Sequence, residues 1–232
     1  MIVLAIHSTT PRLGVAITKG PDILGQLTRP PSREHLENVV PAIEDLTERT
    51  GIHLEDIHGF AAATGPGTFS GIRVGLAVVK GLALALKKPA VGVSSLDVIA
   101  WQATRRAELV VPVIDARRHE VYTAVYRRAG DDVSVVEGPH LMSLEDFPRF
   151  LDRHSDPLVV CGDRVADAFV ESRSNLVKSF VEEPSPADCA FLAQERLKRG
   201  DPGLVHALIP HYIRRSDAEV NRTRVIALRE NG

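Results

Sequence analysis

Four glycines within the eleven residues GPGTFSGIRVG, Gly65–Gly75, constrain this chain more than any other feature. They follow the short apolar run Gly59–Thr64 and open a segment patterned as a helix from Phe69 to Leu86, so the backbone must turn tightly from strand into helix. Such a turn leaves unpaired amides at the positive end of a helix dipole, where an anion is stabilised. Gly65, Gly67, Thr68 and Phe69 therefore form a candidate phosphate loop. It is not a Walker A loop, because Gly71 is followed by Ile72 and Arg73 where a lysine and a hydroxyl would stand.

The same glycines support a different reading. Gly67, Gly71 and Gly75 recur every fourth residue, and Ala77, Gly81 and Ala85 form a second seam of small residues. Each glycine inside a helix costs about 1 kcal/mol relative to alanine, so a close backbone approach is expected in return. Small residues at this spacing admit another helix at short interaxial distance. That helix is either the chain's own Leu36–Leu46 segment or part of another molecule, and the spacing leaves both open.

Elsewhere, short apolar runs alternate with helical patterns. Met1–His7 reads as a strand buried on both faces, followed by strands at Val15–Thr18 and Ile23–Thr28. Ser32–Thr50 places Leu36, Val39, Val40, Ile43 and Leu46 at helical spacing, with Ser32 as N-cap, Gly51 as stop and Pro41 bending the axis. Ala90–Val93 is a strand, and a helix from Ser94 or Ser95 runs toward Ala107. The pattern then restarts. Leu109–Asp115 and Glu120–Arg127 suit a hairpin across four residues, Val133–Val136 adds a strand, Ser143–Leu151 a helix, Leu158–Cys161 a strand and Pro186–Lys198 the last long helix. Two α/β units are expected, residues 1–105 and 106–232.

Composition narrows the function. Lys and Arg number 28 against 30 Asp and Glu, a net charge of -2 that gives no global attraction to nucleic acid. Any such contact would be local, at Arg214, Arg215, Arg222 and Arg224 of the tail. Cys161 and Cys189 are too few for a disulfide framework and are read as reduced. The longest apolar segment, Ile72–Leu86, carries Arg73 and Lys80 and is too short to cross a bilayer, and no secretory signal opens the chain, so a cytoplasmic location and no membrane partner are expected. No two of the nine histidines are four apart, and there is no G-x-S-x-G elbow. Asp115 and Glu120 are either a carboxylate pair or a turn salt-bridged to Arg117 and Arg118. No catalytic set and no metal site emerge from the residues alone.

Three stretches, VLAIHSTT at Val3–Thr10, GPGTFSGIRVG and VIDARRHEVYTAVY at Val113–Tyr126, together resemble the TsaB (YeaZ) family. PHYIRRSDAE at Pro210–Glu219 and HLENVVPAIEDL at His35–Leu46 fit the same pattern, in order along nearly the whole chain. The resemblance implies two tandem ribonuclease-H-like domains of the actin, sugar kinase and Hsp70 superfamily. It further implies a non-catalytic scaffold and activator in making threonylcarbamoyladenosine (t6A, at adenosine 37) in tRNA, paired with the catalytic Kae1-type subunit TsaD and the ATPase TsaE. By the same resemblance the partner interface lies on the first domain's helices. Here that is His35, Leu36, Val39, Val40 and Ile43 with Ser70, Gly71, Val74, Gly75 and Val78, a surface that alternatively pairs two copies as a homodimer. The chain is expected to hold no cofactor of its own, with ATP or ADP at the shared interface, and tRNA is met through the complex. His7 stands where the family usually has aspartate, and imidazole is a poor ligand for Mg²⁺, which argues against independent ATP hydrolysis. A superfamily ATPase or kinase using Gly65–Gly71 and a glycoprotease-like metallopeptidase are the competing readings.

Overall fold

β1, Ile2–His7, is the centre of a five-stranded sheet, and all six of its residues are buried. The computed structural model describes residues 1–30, 35–103, 108–130, 132–154, 157–167, 176–179, 181 and 183–214. β1 pairs antiparallel with β2, Leu13–Lys19, which pairs antiparallel with β3, Asp22–Arg29. On its other side β1 runs parallel to β4, Gly59–Gly65, and β4 parallel to β5, Ala90–Ser94, giving the order β3-β2-β1-β4-β5. The second sheet repeats this plan. β6, Leu109–Arg117, is central, with β7, Glu120–Ala129, and β8, Asp132–Ser143, as an antiparallel meander. β9, Leu158–Gly162, and β10, Leu176–Ser179, add in parallel on the other side. Two α/β units of ribonuclease-H-like topology are thus present, as expected from the sequence.

Because β1 is apolar from Ile2 to Ile6, with the buried His7 at its end, it can be covered on both faces, and successive residues sort by parity. Leu4 and Ile6 join a core with Val39, Ile43 and Leu46 of α1, His35–Thr50, and with Ile72, Leu76, Val79 and Ala83 of α2, Phe69–Leu86. Val3 and Ala5 face the opposite layer, which holds Val98 of α3, Ser95–Gln102, and Cys189, Ala190 and Ala193 of α5, Pro186–Lys198. Full burial of each Leu, Ile or Phe contributes about 1.5–3 kcal/mol. α5 follows the second sheet in the chain yet packs on the first. The boundary expected at residue 105 falls outside the described residues, as do the Ser32 N-cap and the run of α3 toward Ala107.

α3 is the shared layer between the units. Its Leu96, Ile99 and Ala100 enter the second sheet's core with Tyr122, Tyr126 and Cys161, while α4, Phe147–Leu151, covers that sheet's far face. Polar bonds fix the junction. Tyr126 donates to Asp97 Oδ1 at 2.7 Å, Arg196 of α5 donates to Asp97 Oδ2 at 2.7 Å, and Arg128 caps the carbonyls of Ala100 and Trp101 at the end of α3.

The expected four-residue turn after Asp115 is shorter than the sequence suggested. β6 extends to Arg117 while β7 begins at Glu120 as expected, leaving Arg118 and His119 as the turn, each with left-handed φ (58° and 59°). Cys161 and Cys189 are free, and burial pushes both thiols up, Cys189 to about 12. α2 is the described helix long and apolar enough to span a bilayer, but its inner face is packed into the first sheet's core.

Candidate functional site

The two seams of small residues on α2 point in opposite directions. The inner seam meets the chain's own turn between β1 and β2. A side chain at Gly67 would strike the Thr9 carbonyl, one at Gly71 the Ser8 carbonyl, and one at Gly75 the Ser8 hydroxyl. In exchange, Ser8 Oγ donates to the Gly71 carbonyl at 2.7 Å and the Thr68 amide donates to the Thr9 carbonyl at 2.7 Å. The close approach that these glycines permit is therefore made by a turn, not by a helix, and the Thr68 amide of the candidate phosphate loop is already bonded.

The outer seam is open. Ala77, Gly81 and Ala85 are exposed, nothing lies within 4 Å of a side chain built at Gly81, and Leu84 beside them is 66% exposed. Arg73, Ala77 and Leu84 fall on this same face, four and then seven residues apart. Ser70 is exposed at its N-terminal end, and Val40 of the neighbouring α1 is 49% exposed.

This geometry sorts the residues expected at a partner interface. Val39, Ile43, Gly71 and Gly75 are buried within the chain, so they support the surface and do not form it. Val74 and Val78 are half-buried against the core, and Val40 and Ser70 face outward. The side chains of His35 and Leu36 lie outside the described residues. Periodicity alone could not separate these groups, because α2 is small or apolar on both sides.

Between the two units lies a cleft of about 420 Å³, lined among others by Thr10, Thr68, Asp115, Arg118, Asp163 and Arg214. Gly67 and Phe69 also reach it, whereas Gly65 is buried behind Ile72. Its carboxylates are engaged: Asp115 pairs with Arg117 at 3.1 Å, and Asp163 accepts from the Asp115 amide at 2.6 Å. Burial raises the Asp163 carboxyl. Asp115 thus follows the salt-bridged reading of the turn through Arg117, whereas Glu120 is held by Arg214 from outside the turn. His7 is buried, 3.2 Å from Thr9 Oγ1, and burial lowers it to about 4, which keeps the ring neutral at neutral pH. Among the described residues no three His, Cys, Asp or Glu side chains converge as metal ligands.

Sequence reasoning missed the strap that runs over this cleft. The His211 amide donates to the Thr64 carbonyl at 2.8 Å, Tyr212 stacks on Phe69 at 4.8 Å, and Arg214 donates to the Ala116 carbonyl at 2.7 Å. Arg214 is thus committed to the protein itself, and Arg215, Arg222 and Arg224 lie outside the described residues. The PHYIRR motif was the available signal, but nothing local told what it touches.

The chain is similar to known proteins over most of its length. The family model described as TsaD, tRNA N6-adenosine threonylcarbamoyltransferase, matches residues 26–153. The tRNA threonylcarbamoyladenosine biosynthesis protein TsaB of Bacillus subtilis (strain 168) is 26% identical over 225 residues, 94% of this chain and 96% of that protein. An uncharacterized protein of Mycobacterium tuberculosis (strain ATCC 25618 / H37Rv) is 32% identical over 219 residues, 94% of this chain and 93% of its own length. Among solved structures, YeaZ from Pseudomonas aeruginosa superposes with a TM-score of 0.77 at 26% identity, covering 91% of this chain and 99% of that one. With the ordered motifs, the doubled sheet topology and these matches, the chain belongs to the TsaB (YeaZ) family.

Proposed function

We propose that this chain is a non-catalytic subunit in the biosynthesis of threonylcarbamoyladenosine in tRNA, which binds and activates a catalytic TsaD-type subunit. The observation that carries the reading is the open, small and apolar outer face of α2, beside the exposed Val40 of α1. A helix seated there approaches backbone to backbone at Ala77 and Gly81 and buries Leu84. The first unit, to about residue 105, supplies this docking face, and the second unit braces it through α3. The chain needs no cofactor of its own on this reading. ATP or ADP belongs to the shared interface, TsaE and tRNA join through the assembled complex in the cytoplasm, and a homodimer through the same face is the resting form.

The engaged carboxylates of the cleft and the neutral, buried His7 support a supporting role over independent hydrolysis of ATP. The test is genetic and chemical together. Deleting the chain should remove threonylcarbamoyladenosine from bulk tRNA measured by mass spectrometry, and the full chain supplied in trans should restore it. Unchanged modification after deletion, or saturable ATP hydrolysis by the purified chain alone, would overturn the reading.

A further inference from the structure

Arg73 is a cation held in place with no counter-charge among the described residues. Its Nε donates to the Tyr212 hydroxyl at 2.8 Å, and its guanidinium carbon lies 5.7 Å from the centre of the Tyr212 ring and 5.9 Å from that of Phe69. The two rings pack on each other at 4.8 Å, forming one platform. Among the described residues no carboxylate meets Arg73, although the side chain is exposed. α2 offers no compensation either: in 18 residues it carries Arg73 and Lys80, no aspartate and no glutamate, and its first turn has no acidic residue to offset the positive end of the dipole.

A guanidinium whose orientation is fixed by stacking and by its Nε bond loses little freedom when it forms paired bonds through its remaining N–H groups. Such a group fits a carboxylate or a phosphate. The surroundings select between them. Arg73 shares its face with Ala77, the part-buried Lys80 and the 66% exposed Leu84, beside Gly81, an otherwise small and apolar ridge that suits a protein helix and offers a nucleic-acid backbone only this second cation. Resting on the docking reading above, we infer that Arg73, on its Phe69 and Tyr212 platform, is the receptor for a carboxylate on the partner helix that lies along the outer face of α2.

The experiment titrates the purified TsaD-type subunit of the same organism into the full chain and its variants by calorimetry, with thermal melts of each. Arg73→Glu should weaken binding by about 100-fold or more and Arg73→Lys by roughly 10-fold, since a point charge does not reproduce the bidentate fork. Arg73→Gln replaces the reversal should Arg73→Glu not fold. Gly81→Leu separates this inference from the reading beneath it. If Gly81→Leu abolishes binding while Arg73→Glu leaves it unchanged, the docking face stands and the carboxylate receptor is wrong. If neither variant alters binding, both fall. Loss of tRNA retention by an assembled complex, with assembly itself intact, would make Arg73 a phosphate contact and overturn the inference. Loss of self-association alone, by sedimentation, would make a second copy the occupant and overturn it equally.

Discussion

The hydroxyl of Ser8 donates to the carbonyl of Gly71 at 2.7 Å, and the carbonyl of Ser8 fills the space where a side chain at position 71 would begin. Two segments 63 residues apart thereby lock the β1–β2 turn onto the start of α2. Gly71→Ala must push backbone against backbone, since no flexible side chain can yield. The expected cost is about 1–3 kcal/mol, read as a melting temperature lower by roughly 2–4 °C for each kcal/mol.

Gly81 gives the opposite sign. Nothing lies near a side chain there and the residue is in the exposed interior of α2, so Gly81→Ala should stabilise by about 1 kcal/mol through helix propensity. Denaturant melts of Gly71→Ala and Gly81→Ala should diverge from wild type in opposite directions. Equal shifts would mean that the two seams are not inside and outside as described.

The junction between the units can be weighed at Tyr126, whose hydroxyl donates to Asp97 while the ring is buried. Tyr126→Phe keeps the packing and deletes a bond to a charged group, which costs about 1.5–3 kcal/mol. Equilibrium unfolding in urea checks it, and a change below about 0.5 kcal/mol would show that Arg196 alone satisfies Asp97.

Acid should weaken the fold through His7. Burial lowers its value from the ordinary 6.5 to about 4, so between those limits the unfolded chain binds more protons than the folded one. Stability therefore rises with pH across that window, is fully retained above 6.5, and is lost as pH falls toward 4, by about 3 kcal/mol in all. Asp163 and Asp188, both raised by burial, act in the opposite sense over the acid range. Melts of wild type and His7→Gln between pH 7 and 4.5 should show a shallower slope for the variant. Parallel slopes would refute the assignment to His7.

Much of the fold was legible because single elements carry single signals. The ends of α2 and α5 match the sequence reading, since Thr68 and Lys87 bracket one apolar period and Ser185-Pro186 opens the other. β8 was read as four residues and spans Asp132–Ser143, because its alternation is interrupted by bulges and by Gly138-Pro139 on an exposed edge. β10, with only LVKS to offer, gave no period at all. The expected helix at Ser143–Leu151 shrinks to Phe147–Leu151 for the same reason, the strand claiming its start.

The candidate site was legible in part. Spacing showed that α2 needed close neighbours, but contacts of Gly71 with Ser8 and of Arg73 with Tyr212 join residues far apart in sequence. Only the fold reveals which small residues face inward. Val39 and Ile43 obey the same helical period as Val40, and burial in the first sheet's core is what sets them apart.

On the docking reading, the outer face of α2 receives another protein's helix. The most direct measurement is the dissociation constant of the TsaD-type subunit for Gly81→Leu, a variant that adds bulk only to that face. Binding should weaken by about 100-fold with an unchanged or higher melting temperature. Affinity within about twofold of wild type would contradict it.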